Sequence, residues 1–134
     1  MNYSRQIAVE FNHCDPAGIV FYPRYFEMIN SVVENFFADV AGRSFAALIS
    51  AGEGVPAAQI DTRFQAPSRL GDRLDWQLLI VRVGGASLGL ALEARGQAEL
   101  RVACTLTVVF MVNGRPAPWP EDVRARLNQF KEAA

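Results

Sequence analysis

The sequence predicts an α+β fold in which a curved antiparallel sheet wraps around one long central helix, a single domain over residues 1–134. Two observations carry this. One stretch, from Pro23 to Gly42, repeats apolar residues at three-and-four spacing. The chain after it is dominated by runs that alternate with a period of two. So apolar a helix needs a sheet to cover it, and consecutive alternating runs supply one. The sheet still has open edges, so pairing into a dimer is expected.

The first strand is read as Gln6 to Phe11, with Ile7, Val9 and Phe11 on one face. A loop, "NHCDPAG", follows. Pro23 suits the first helical turn, where a missing N–H costs nothing. Phe26, Ile29, Val33, Phe36, Phe37 and Val40 form the apolar stripe, and Arg24, Glu27, Ser31 and Glu34 the polar one. Gly42 is the stop. "AGEGVP" is read as loop, and four strands follow. They run near Ala58–Gln65, Arg73–Ile80, Ser87–Ala94 and Leu100–Phe110. Gly84 and Gly85, Gly96, and Asn113 with Gly114 mark turns. Pro120, Glu121 and Asp122 open a short helix with Val123, Leu127 and Phe130 on one side.

Composition narrows the function. Hydrophobic residues make up 51% and charged residues 20%, enough for a buried core. The net charge is −1 with no basic run, which argues against nucleic acid or an anionic membrane surface as partner. No signal segment or membrane-spanning stretch is visible, so a cytoplasmic protein is expected. Two cysteines, Cys14 and Cys104, and one histidine do not make a closed zinc site without carboxylates, and no metal is expected.

The chemistry concentrates in "FNHCDPAGIVFYPRYFEM". Cys14 as nucleophile would need a positioned base, and adjacent residues of extended chain diverge. Cys104 sits on the apolar face of a long strand. His13, the single histidine, is either a base or a group that orients Asp15. Asp15 before Pro16 is a good turn former. It also stands just before a helix start near Tyr22, whose free N–H groups suit a developing oxyanion. Glu27 and Glu34 are alternative carboxylates on a solvated helix face.

The segment "DPAGIVFYPRYFE" resembles the active-site segment of the 4-hydroxybenzoyl-CoA thioesterase family, which has the hotdog fold. The order of elements is similar over nearly the whole chain. The resemblance implies hydrolysis of an acyl-CoA thioester, an aromatic one in the closest members. It implies a homodimer, often a homotetramer, with the site formed between subunits. Asp15 takes the place of the catalytic nucleophile or general base, and Tyr22 that of the backbone N–H polarising the carbonyl. Gly18 matches the family's loop glycine and Tyr25 the aromatic that closes the motif. Some relatives carry an acidic residue where His13 stands, so no family role carries over to it, and His13, Gly18 and Tyr25 are candidate substrate-binding residues. No cofactor is implied beyond the coenzyme A of the substrate. Some relatives carry cations just before the serine that starts the third long strand, where this chain has Gly84 and Gly85. The candidates to meet CoA phosphates are therefore Arg63, Arg69, Arg82, Arg95 and Arg101. Gln59, Arg63 and Gln65 are candidates for a pocket shared with the partner. A carrier protein as acyl donor, a short-chain substrate, and an acyl-binding module without turnover are the alternatives.

Overall fold

The computed structural model describes residues 1–133. Its strands are β1 (Tyr3–Ala8), β2 (Glu53–Gly54), β3 (Ala57–Phe64), β4 (Arg73–Val83), β5 (Ser87–Gly96), β6 (Glu99–Val109), β7 (Met111–Val112) and β8 (Arg115–Pro116). Its helices are α1 (Pro23–Phe36), α2 (Phe45–Ser50) and α3 (Glu121–Glu132). Five strands form one antiparallel sheet in the order β1-β4-β5-β6-β3. A second, three-stranded sheet joins β2, β7 and β8.

The strands after the helix are antiparallel as expected, but β3 is not beside β4. It lies at the far edge, paired with β6, while β4 pairs with β1. A period of two assigns faces and is silent about neighbours. The chain from Phe64 to Arg73 therefore runs across one end of the sheet, with Gln65 N bonded to Arg101 O and Val9 N to Asp72 O.

Helix α1 packs on the concave face. Its buried side is Tyr25, Met28, Ile29, Val32, Val33 and Phe36, set against inward residues such as Leu74, Trp76, Leu78, Leu90 and Leu92. That stripe is rotated from the one the sequence suggests: Phe26 and Val40 are only partly buried. After Phe36 the helix widens into a π turn, Phe37–Ala41, ending at Gly42 with φ +79°. Phe36 and Phe37 are both fully buried there, one against Phe130 and the other against Trp119.

Other boundaries moved for local reasons. The first strand ends at Ala8, and Phe11 enters a 3₁₀ turn, Phe11–His13, where it is 83% exposed rather than inward. "AGEGVP" holds a strand, because Glu53 and Gly54 pair with Val112 and Met111. Helix α2 starts on Ser44, whose Oγ accepts from Ala47 N at 3.1 Å. The turn after β5 uses Gln97 and Ala98, both at positive φ, and not Gly96. Gly96 serves a different end: a Cβ there would lie 2.8 Å from the Arg101 guanidinium. Arg101 reaches that position because a bulge on β6 interrupts the alternation between Val102 and Leu100.

Candidate active site

The Asp-Pro-Ala-Gly sequence closes a tight loop. Gly18 N donates to Asp15 O at 3.0 Å, with Pro16 and Ala17 at the turn centre and Gly18 at φ +80°. Asp15 N donates to Ile19 O at 3.0 Å, and Cys14 bridges Val20. A left-handed residue after such a turn favours glycine, the reason for Gly18. Asp15 is half-buried, and its Oδ1 accepts from Ala17 N at 2.9 Å. Its other carboxylate oxygen has no protein donor among the described residues.

The loop leads directly into α1. Phe21 N donates to His13 O at 2.9 Å, which ties the helix start to the strand side of the loop. In the first turn, Pro23 has no N–H, Arg24 N donates to Phe21 O, and Tyr25 N to Tyr22 O. The Tyr22 N–H makes no hydrogen bond to a described residue. One free amide thus stands at the positive end of a helix that directly follows the loop of Asp15.

His13 uses Nδ1 to accept from Glu10 N at 2.9 Å, which places its proton on Nε2. It makes no hydrogen bond to Asp15. Cys14 Sγ donates to Glu10 O at 3.6 Å. Cys104 is buried, and that burial pushes its thiol up from the ordinary range. Glu27 is exposed and pairs with Arg24 at 2.9 Å, and Glu34 is exposed. Tyr25 is 4% exposed and stacks on Phe64 at 5.7 Å.

Phe64 was not singled out from the sequence. It ends β3 on the inward side, and Tyr22, Tyr25 and Phe26 all pack against it. With Phe21 beside Tyr22, these rings make an aromatic surface at the helix start. Phe64 and Phe21 are each 47% exposed and Tyr22 58%. The alternation of β3 with the period of α1 was the available signal, but their proximity is tertiary. One and two turns further along α1, Phe26 and Asn30 lead to a cleft of about 320 Å³ lined by Asn30, Phe45, Leu48, Ile49 and Val55.

The arginines sort by burial. Arg95 pairs with Glu93. Arg101, expected among possible phosphate contacts, is 6% exposed, and its Nη1 and Nη2 donate to Pro67 O, Ser68 Oγ, Asp72 Oδ2 and Gly96 O inside the protein. Arg124 of α3 donates to the carbonyls of Gly84 and Gly85 at 3.0 and 2.9 Å. The Arg82 guanidinium lies over Gly84, 2.9 Å from where a Cβ would be. The Gly84–Gly85 turn therefore gathers two cations although neither glycine carries one. Among the described residues, no group of three or more His, Cys, Asp and Glu side chains could hold a metal ion.

This α-helix inside an antiparallel sheet is the hotdog fold of thioesterases. The chain matches the thioesterase-like superfamily over residues 9–127 and belongs to it, a family of thioester hydrolases. A gentisyl-coenzyme A thioesterase is 25% identical and superposes with a TM-score of 0.87, over 93% of this chain and 99% of that one. The 1,4-dihydroxy-2-naphthoyl-CoA thioesterase of Synechocystis is 20% identical, with a TM-score of 0.89 over 99% and 100%. A Staphylococcus aureus protein solved in complex with CoA is 15% identical, with a TM-score of 0.91 over 98% and 85%. No curated protein sequence matches the chain. No helix among the described residues is long and apolar enough to cross a membrane.

Proposed function

We propose that this protein is a cytoplasmic acyl-CoA thioesterase of the 4-hydroxybenzoyl-CoA thioesterase type, acting on an aromatic acyl group. The observation that supports this is that the loop of Asp15, whose carboxylate keeps one oxygen without a protein donor, leads directly into α1, whose Tyr22 N–H has no acceptor among the described residues. The thioester oxygen accepts from Tyr22 N–H and its carbonyl carbon becomes electrophilic. Asp15 either attacks that carbon or takes a proton from the water that does. Collapse of the tetrahedral centre breaks the C–S bond, and the thiolate of coenzyme A leaves and is protonated. Water attack gives the free acid directly, whereas attack by Asp15 leaves an acyl anhydride that a water then hydrolyses to free acid and the Asp15 carboxylate. No metal or redox cofactor enters these steps.

Three observations support the substrate class. The half-exposed rings of Phe21, Tyr22 and Phe64 suit a planar aryl group. Two structural neighbours are named as thioesterases of aryl-CoA substrates. Arg82 and Arg124 at the Gly84–Gly85 turn supply cations for CoA phosphates, which favours CoA over a carrier protein. Two unpaired cysteines fit a reducing compartment.

The working unit is a homodimer, assembling further to a tetramer, with β3 as the pairing edge. All of β3 is exposed or half-exposed on both faces, and its inward Ile60 and Phe64 are 41% and 47% exposed. A second copy paired there would abut Tyr22 and Phe64 and complete the site. His13, Gly18 and Tyr25 then contribute to substrate binding by framing the loop and backing the aromatic surface.

Thiol release measured over aryl-CoA, short-chain acyl-CoA and acyl-carrier substrates tests the reading. Fastest release from an aryl-CoA is expected. Binding of acyl-CoA with no thiol released anywhere in the panel would identify a non-catalytic module instead.

A further inference from the structure

Among the described residues one charged side chain is buried, Arg101, and three of its hydrogen bonds go to a single segment, residues 67–72. Nη1 donates to Pro67 O at 3.2 Å, Ser68 Oγ at 3.2 Å and Asp72 Oδ2 at 2.8 Å. Nη2 donates to Gly96 O at 3.2 Å, and Nε lies 2.8 Å from Glu99 Oε1. A buried arginine costs a great deal unless it is paired and hydrogen-bonded. Here both Nη atoms are hydrogen-bonded and two carboxylates lie at 2.8 Å, while Nε makes no hydrogen bond. Two departures from regular strand pattern admit it: the β6 bulge that turns it inward, and Gly96, which leaves room for the guanidinium.

The segment it grips is the wall of the Asp15 loop. Ser68, fully buried, accepts from Val20 N at 2.8 Å, and Leu70 N donates to Gly18 O at 3.1 Å. Ile19 bridges Arg69. Asp72 Oδ2 also accepts from Arg69 N at 2.9 Å, so the same carboxylate shapes the segment and holds the arginine. Helix α1 is anchored independently, through Tyr25 and the core. The position of Asp15 relative to the Tyr22 N–H is therefore set by three supports: the Phe21 N–His13 O bond, the helix packing and this segment.

We propose that the Arg101–Asp72 pair is a positioning device that fixes the Asp15 loop against the start of α1, and with it the reacting geometry. Arg101 and Asp72 are positioning residues, and this rests on the assignment of Asp15 as the catalytic carboxylate. Arg101→Lys keeps the charge but loses the planar fork that spans Pro67, Ser68, Asp72 and Gly96 at once. Asp72→Asn keeps the shape and removes the charge.

Both variants are compared with Asp15→Asn in thiol release from the best acyl-CoA substrate, and amide exchange is followed in parallel. The expected result is a kcat lowered about ten- to a hundredfold with KM changed less than about twofold, the mark of misplaced groups. Exchange at Val20 and Leu70 rises, while amides in the middle of β5 stay protected. Adding Arg101→Lys to Asp15→Asn gives no further loss of kcat. If Asp15→Asn abolishes turnover and both clamp variants keep wild-type kcat, the positioning role is overturned and the assignment of Asp15 stands. If Asp15→Asn keeps wild-type turnover, that assignment fails and the positioning role falls with it. Should Arg101→Lys not fold, Asp72→Asn decides between these outcomes.

Discussion

Asp15 has two jobs in the structure, and one substitution separates them. Its Oδ1 stabilises the turn by accepting from Ala17 N at 2.9 Å, and its charge is what the proposed chemistry needs. Asn keeps an oxygen in the same place, so Asp15→Asn preserves the turn bond and removes only the charge. The bond is on a half-buried loop, so stability changes by less than about 0.5 kcal/mol. Loss of a general base or nucleophile costs about 10²- to 10⁴-fold in kcat, which is about 2.7–5.4 kcal/mol of barrier. Asp15→Ala loses both, adding about 0.5–1.5 kcal/mol of destabilisation from the missing hydrogen bond. Urea unfolding and thiol-release kinetics on the two variants therefore give different patterns. A turn-only residue would leave Asp15→Asn as active as wild type and make Ala the damaging change in stability alone. That result would refute the catalytic role.

Other expectations follow from the same geometry. Gly18→Ala destabilises by about 1–2 kcal/mol through its φ of +80° alone, since no atom lies within 4 Å of the added Cβ. Gly85→Ala, equally uncrowded but without positive φ, stays within about 0.5 kcal/mol, and paired thermal melts check the contrast. The Arg101 hydrogen bond holds the Asp72 carboxyl below the ordinary carboxylate range. Its stabilisation is full above the unfolded value of about 3.9 and is lost as pH falls through the lower folded value. Urea midpoints between pH 6 and pH 2 should show this acid loss in the wild type and a flatter profile in Asp72→Asn. Ile60→Lys on the inward face of β3 places a charge at the proposed subunit contact, and light scattering should report a shift to monomer. An unchanged mass would remove β3 as the pairing edge.

Much of this was legible without coordinates. Local rules act on neighbouring residues. Pro23 at a helix start, the Asp15–Gly18 turn and the period-two strands each depend on a few adjacent side chains, and all appear in the structure. The likeness of the Asp15–Glu27 segment to a thioesterase active site is local in the same way, and the superfamily match agrees with it at the level of class. What local pattern could not supply was partnership. Alternation placed Ile60 and Phe64 inward but could not put β3 beside β6, because faces repeat every two residues whatever the neighbour. Gly96 read as a turn, yet its missing Cβ makes room for Arg101, five residues on and across the hairpin. Arg101 read as a candidate for CoA phosphates, and a single bulge buries it against the wall of the Asp15 loop. The sequence by itself determined the long strands and the main helices, since those rest on short-range sterics and hydrogen bonding. Only the tertiary structure decided which strand lies open at the edge, which rings surround the helix start and which buried charge grips the wall of the Asp15 loop. Those depend on contacts between residues far apart in the chain, made when the core closes.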